Sequence, residues 1–117
     1  MSGSVGYLSG LSAEDIVETD YIRGGYDLLE RRWRGTGGEI DLIFRKGDAI
    51  VFVEVKKSRS FESAAARVSE RQMARIYASA GGYLAQCSAG QDTESRFDVA
   101  LVDGVGATQV LENAFGL

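Results

Sequence analysis

Three residues able to handle a metal ion and a phosphate lie in two short apolar runs. Asp41 sits in Gly38-Glu39-Ile40-Asp41-Leu42-Ile43, and Glu54 and Lys56 sit in Val51-Phe52-Val53-Glu54-Val55-Lys56. If Gly47-Asp48 forms a two-residue hairpin loop of the Gly-X type, Asp41 falls opposite Glu54 and Glu39 falls opposite Lys56. Directly opposed residues have Cβ atoms about 4.5–5.5 Å apart. Lys56 is two residues beyond Glu54, on the same face. Two carboxylates held that close among apolar neighbours destabilise the fold unless something compensates them. A divalent cation with hard oxygen ligands does so and leaves room for waters and a phosphate oxygen. Lys56 then holds the attacking water or neutralises charge developing on the phosphate. This is equipment for metal-assisted phosphodiester hydrolysis. The alternative is an ion-pair ladder of Glu39, Asp41 and Lys56 on a solvated sheet face, the commoner arrangement in an anonymous hairpin. A longer loop would break the opposition and favour that ladder.

Arg67, Arg71 and Arg75 recur every four residues, which on one helix makes a ridge suited to phosphates along a backbone. The alternative is a solvated face relieved by Glu62 and Glu70. Gln72 stands at the margin of an apolar stripe. It either points toward the hairpin or is simply a polar residue at that margin. Trp33 and the tyrosines have faces that stack on bases, although such residues more often fill cores. Cys87 falls on the apolar stripe and reads as a packed thiol. Gly35, Gly37 and Gly38 are not a phosphate-binding loop, because no Gly-Lys-Ser/Thr follows and a strand comes next.

The elements that must position these groups follow from periodicity. Residues 1–11 are rich in glycine and serine and read as a flexible arm; residues 12–117 read as one domain. Ser12 caps a helix through Ala13-Glu14-Asp15-Ile16-Val17, which Gly24-Gly25 ends. Tyr26 to Trp33 is a first strand. Glu39 to Arg45 is a second, with Ile40, Leu42 and Phe44 expected on one face and Glu39, Asp41 and Ile43 on the other. Ile50 to Lys56 is a third. A helical period runs from about Ala64 to Cys87. Phe97 to Val102 is a fourth strand and Thr108 to Leu111 a short fifth. The order α-β-β-β-α-β-β predicts an α/β fold, a mixed sheet of four to five strands flanked by helices.

Composition removes other chemistries. The chain has 117 residues and no histidine, so triads, HNH and HEXXH sites are excluded. One cysteine excludes a disulfide framework and a thiolate zinc cage. The N-terminus lacks the pattern of a signal peptide, and no apolar run approaches a membrane span, so a cytoplasmic protein is expected. The net charge of −4 is uneven. Residues 23–75 hold 12 of the 13 basic residues and are net positive, whereas both flanking segments are net negative. A polyanion would be held by the middle third.

From about Ala13 to Phe115 the sequence resembles the YraN-like family, which is assigned by prediction to the PD-(D/E)XK nuclease superfamily and is Holliday-junction-resolvase-like. The two hairpin runs carry the resemblance. Ala13-Glu14, Gly25-Tyr26, Arg96-Phe97-Asp98-Val99 and Asn113-Ala114-Phe115 extend it. It implies a restriction-endonuclease-like core, with Asp41 and Glu54 as metal ligands for Mg²⁺ or Mn²⁺ and Lys56 as the catalytic lysine. Glu14 occupies the place of a first-helix glutamate that joins the metal in related junction-resolving nucleases. Glu39 matches the family motif and is, with Gln72, a supporting candidate. The sequence departs from the family at Ser58, where an arginine is usual and Arg59 follows one later, at Arg71 in place of a lysine, and at Arg32 in place of an asparagine. Lys57 and Arg59 join the three helix arginines as candidate nucleic-acid contacts.

The reading is a metal-dependent DNA nuclease, with single-stranded or branched DNA in repair or recombination as the implied substrate. Its alternative is a nucleic-acid- or partner-binding module of the same fold without turnover. A purely structural protein would bind neither metal nor DNA.

Overall fold

The computed structural model describes residues 12–114. The residues read as an N-terminal arm and the terminal Phe115 lie outside them. Helix α1 spans Ala13–Arg23. It starts where expected because Ser12 Oγ accepts the Asp15 N–H and the Asp15 carboxylate accepts the Ser12 N–H. Such reciprocal capping stabilises a helix start by about 1 kcal/mol. Strands β1 (Asp27–Gly35), β2 (Gly38–Lys46) and β3 (Ala49–Lys57) follow. Helices α2 (Phe61–Ala65) and α3 (Glu70–Leu84) then lead to β4 (Ser95–Val102) and β5 (Thr108–Leu111). The sheet order is β1-β2-β3-β4-β5. All neighbours are antiparallel except β3 and β4, which need the crossover that α2 and α3 provide. This mixed α/β sheet, flanked by helices in the order α-β-β-β-α-β-β, is the architecture expected from the sequence and matches a restriction-endonuclease-like core.

Each sheet face has its own core. Ile43, Ile50, Phe52 and Phe97 pack beneath Met73, Ile76 and Ala80 of α3. Leu42, Phe44, Val51 and Val53 pack against Val17 and Tyr21 of α1. Alternation along β3 therefore sends Glu54 and Lys56 to the α3 side. Burying each large apolar side chain contributes roughly 1.5–3 kcal/mol, which rigidly seats the strands that carry the polar pair. Trp33 sits edge-on to Tyr83 at 5.3 Å between centroids, and Cys87 is half-buried against the same cluster. Both are packing residues here.

Two expectations are corrected. The single helix from Ala64 to Cys87 is two helices, because Ser69 Oγ caps the Gln72 N–H and starts α3 afresh. Arg67 thus lies in the intervening turn, where its Nη1 donates to the Lys57 carbonyl at 3.0 Å. The three-arginine ridge reduces to Arg71 and Arg75. Ile40, expected to share a face with Leu42 and Phe44, packs with the α3 cluster instead. Alternation breaks at Asp41, opposite Arg32 in β1, and neither residue joins the regular pairing that runs from Arg31↔Leu42 to Trp33↔Ile40. Arg32 has a left-handed φ of 50° at this point.

Candidate metal and phosphate site

The β2–β3 hairpin has the expected register. Lys46 pairs with Ala49 and Leu42 with Val53, and Gly47 takes the positive φ of 61° that opens a Gly-X loop. The regular pairing stops at Leu42↔Val53, one step before the acidic pair. There the Asp41 side chain replaces the ladder: its Oδ2 accepts the Val55 N–H at 2.8 Å. The carboxyl groups of Asp41 and Glu54 stand within hydrogen-bonding reach of each other.

Helix α3 covers the pair. Gln72 Nε2 donates to Glu54 Oε2 at 2.6 Å, and Gln72 Oε1 accepts from Lys56 Nζ at 2.7 Å. Lys56 Nζ also lies 3.5 Å from Glu54 Oε2. The helix comes this near because the β1–β2 turn is small. A Cβ on Gly37 would lie 2.2 Å from the Arg75 carbonyl oxygen, and Ser79 Oγ donates to the Gly38 carbonyl at 2.7 Å. The result is a cleft of 310 Å³ bounded by Asp41, Glu54, Gln72, Arg75, Glu39 and the Gly37–Gly38 turn. A larger cleft of 660 Å³ near the Gly47–Asp48 turn is lined by Arg45, Asp48, Cys87 and Glu94 among others. Its acids face open solvent, and no buried pair converges in it.

Electrostatics set this pair apart. Glu54 is only 7% exposed. Burial first, and then the neighbouring Asp41 charge, push its pKa up to about 8, against a partial opposing pull from Lys56. Burial also raises the Asp41 pKa, opposed by the Val55 N–H. The two carboxyls therefore share a proton when no cation is bound. With both carboxyls ionised, Glu54 Oε1 is the one buried side-chain oxygen or nitrogen without a hydrogen-bond donor among the described residues. A buried acceptor left unpaired destabilises by about 1–3 kcal/mol. Two adjacent hard oxygen donors with one idle atom fit a Mg²⁺ or Mn²⁺ ion, which prefers one or two carboxylates and keeps several waters.

The remaining candidates divide. Glu14 is turned to Arg32, whose Nε donates to its Oε1 at 3.0 Å, so no group of three or more metal-ligating side chains is assembled among the described residues. Its charge still acts on Asp41. Glu39 is exposed and 3.8 Å from Arg34. Arg71, Lys57 and Arg59 are exposed, and Arg75 is exposed at the cleft wall. The Glu39–Asp41–Lys56 ladder does not form: the lysine's ion-pair partner is Glu54.

A second polar centre was not anticipated. Asp98 is fully buried on the α1 side and takes bonds from Tyr21 Oη at 2.6 Å, Arg96 Nε at 2.9 Å and the Asn113 N–H at 3.0 Å. Arg96 also donates to Tyr26 Oη at 2.7 Å. An acid within the apolar run Phe97 to Val102, two residues after an arginine on the same face, was the signal available. Every Asp98 oxygen is satisfied, so this network ties α1, β4 and the end of β5 together.

Comparison with known proteins identifies the family. The model of the uncharacterised protein family UPF0102 matches residues 13–102. A UPF0102 protein of Cereibacter sphaeroides is 55% identical over 98% of both chains. One from Ruegeria pomeroyi is 55% identical over 97% of this chain and 93% of its own. One from Dinoroseobacter shibae is 46% identical over 95% and 83%.

Proposed function

We propose, from the premise that this chain belongs to UPF0102, the YraN-like group, that it is a Mg²⁺- or Mn²⁺-dependent nuclease hydrolysing DNA phosphodiester bonds. Branched or single-stranded DNA is the substrate class, in repair or recombination. The observation that carries the reading is the buried Asp41–Glu54 carboxyl pair, in which the ionised Glu54 Oε1 has no donor. Asp41 and Glu54 hold the cation, with Glu14 as the candidate third ligand. A bound cation supplies Lewis acidity and a more acidic water. Lys56, fixed by Gln72, presents an ammonium beside the acidic pair, where it neutralises charge developing on the phosphate. Arg71 and Arg75 contact the backbone of the bound strand, and Lys57 and Arg59 extend that surface. Glu39 and Gln72 support the site from its rim and roof.

A binding module without turnover is the second reading. It is favoured by the Arg32–Glu14 pair, which leaves only two carboxylates converging. The discriminating experiment incubates the protein with single-stranded, duplex and junction DNA in Mg²⁺ or Mn²⁺, alongside Lys56→Ala. The nuclease reading expects cleavage that Lys56→Ala reduces strongly while metal binding persists. Binding of one of these DNAs without cleavage by the wild type moves the protein to the second reading.

A further inference from the structure

The unusual backbone conformation in β1 has a defined location and a defined partner. Arg32 adopts a left-handed backbone conformation, φ 50°, which costs a bulky side chain roughly 1–3 kcal/mol. It does so directly across from Asp41, where the β1–β2 pairing is interrupted. Were Arg32 in ordinary strand geometry, it would stand in cross-strand register with Asp41. Its guanidinium instead reaches α1 and binds Glu14, the acid whose charge is felt at Asp41. Docking of α1 on β1 does not require this contact, because neighbouring Arg31 already pairs with both Asp15 and Glu18 at 2.5 and 2.9 Å. In this conformation the Arg32 guanidinium holds one carboxylate, that of Glu14.

We infer that Arg32 is a positioning residue for Glu14: its ion pair retains that carboxylate outside the Asp41–Glu54 site until a divalent cation draws it in. This rests on the metal-dependent reading above. In the metal-free protein, a third carboxylate turned toward Asp41 and Glu54 would crowd a third acidic group onto two that already adjoin in a largely buried site. Arg32 holds it away, and a cation must compete with the guanidinium for it. Because this is an exposed pair, with Arg32 63% and Glu14 21% exposed, the competition is worth a small factor in affinity and not an absolute block.

The test is Mn²⁺ binding, read from the electron paramagnetic resonance signal of free Mn²⁺. Asn tolerates left-handed φ, so Arg32→Asn keeps the backbone conformation and removes the guanidinium. It should bind Mn²⁺ roughly two- to five-fold more tightly than wild type. Glu14→Gln should bind more weakly, and Arg32→Asn should give no gain in the Glu14→Gln background. Arg32→Lys, which keeps the charge, should return affinity toward wild type. Unchanged or weaker binding by Arg32→Asn, in a protein whose wild type binds Mn²⁺ and whose Asp41→Ala variant does not, overturns the inference and leaves the metal reading standing. No Mn²⁺ binding by any of the chains overturns both.

Discussion

Glu54→Gln should make the metal-free protein more stable near neutral pH. The folded pKa of Glu54 is raised from 4.5 to about 8, mainly by burial and then by Asp41. Between those two values the folded state holds a proton that the unfolded state has released. Stability therefore falls as pH rises through this window, by roughly 1.4 kcal/mol per pH unit. Below the unfolded value nothing is lost. At pH 7 the accumulated loss is of the order of 3 kcal/mol. Glutamine resembles the protonated acid, keeps donors for Asp41 and does not titrate. The assay is thermal unfolding in EDTA from pH 5 to pH 8. Wild type should lose Tm across the range while the variant stays nearly level, and at pH 7 the variant should melt higher by up to roughly 10 °C. A wild type that is flat over this range, together with a variant that melts lower at pH 7, would refute the reasoning. Glu54 would then be an ionised partner of Lys56, stabilised by that pair.

Three further outcomes are expected. Gly37→Ala should destabilise by about 2 kcal/mol or more, because its methyl would lie 2.2 Å from the Arg75 carbonyl; urea denaturation at wild-type stability would contradict the close packing of turn on helix. Asp98→Ala should cost about 3 kcal/mol by the same assay, since it leaves Arg96 and Tyr21 without their buried acceptor. DNA affinity should fall with salt, and Arg71→Ala/Arg75→Ala should weaken binding and flatten the logarithmic salt slope by about 1.5. Adding Arg67→Ala should change the slope no further, because that guanidinium is engaged with the Lys57 carbonyl.

The juxtaposition of Asp41 and Glu54 was legible in the sequence because one local feature determined it. A two-residue Gly47-Asp48 loop leaves a single register, and that register puts Asp41 beside Glu54. The alternating apolar residues of β3 fixed the face. The helix break was less visible, since alanines 64–66 and Val68 continue a helical period with no glycine or proline between. Ser69-x-x-Gln72 has the form of a capping box and was the available signal, although Gln72 spends its side chain on Glu54 and Lys56. What Gln72 faces depends on where α3 crosses β3, and that is set by Gly37 and Ser79 many residues away. Arg32 was beyond local reading altogether. Its left-handed φ runs against the preference of its own side chain. Asp98 was hidden by an apolar strand pattern whose interpretation needs the partners on α1.

Calorimetric titration of the metal-free protein with Mn²⁺, for wild type and Asp41→Ala, tests the central claim most directly. The account predicts a saturable site in wild type that Asp41→Ala loses. Binding near neutral pH should release a proton, seen as a heat that varies with the ionisation enthalpy of the buffer, because the cation displaces the proton held by Glu54. Absence of a binding isotherm in wild type at millimolar Mn²⁺, or an isotherm that Asp41→Ala leaves unchanged, would contradict it.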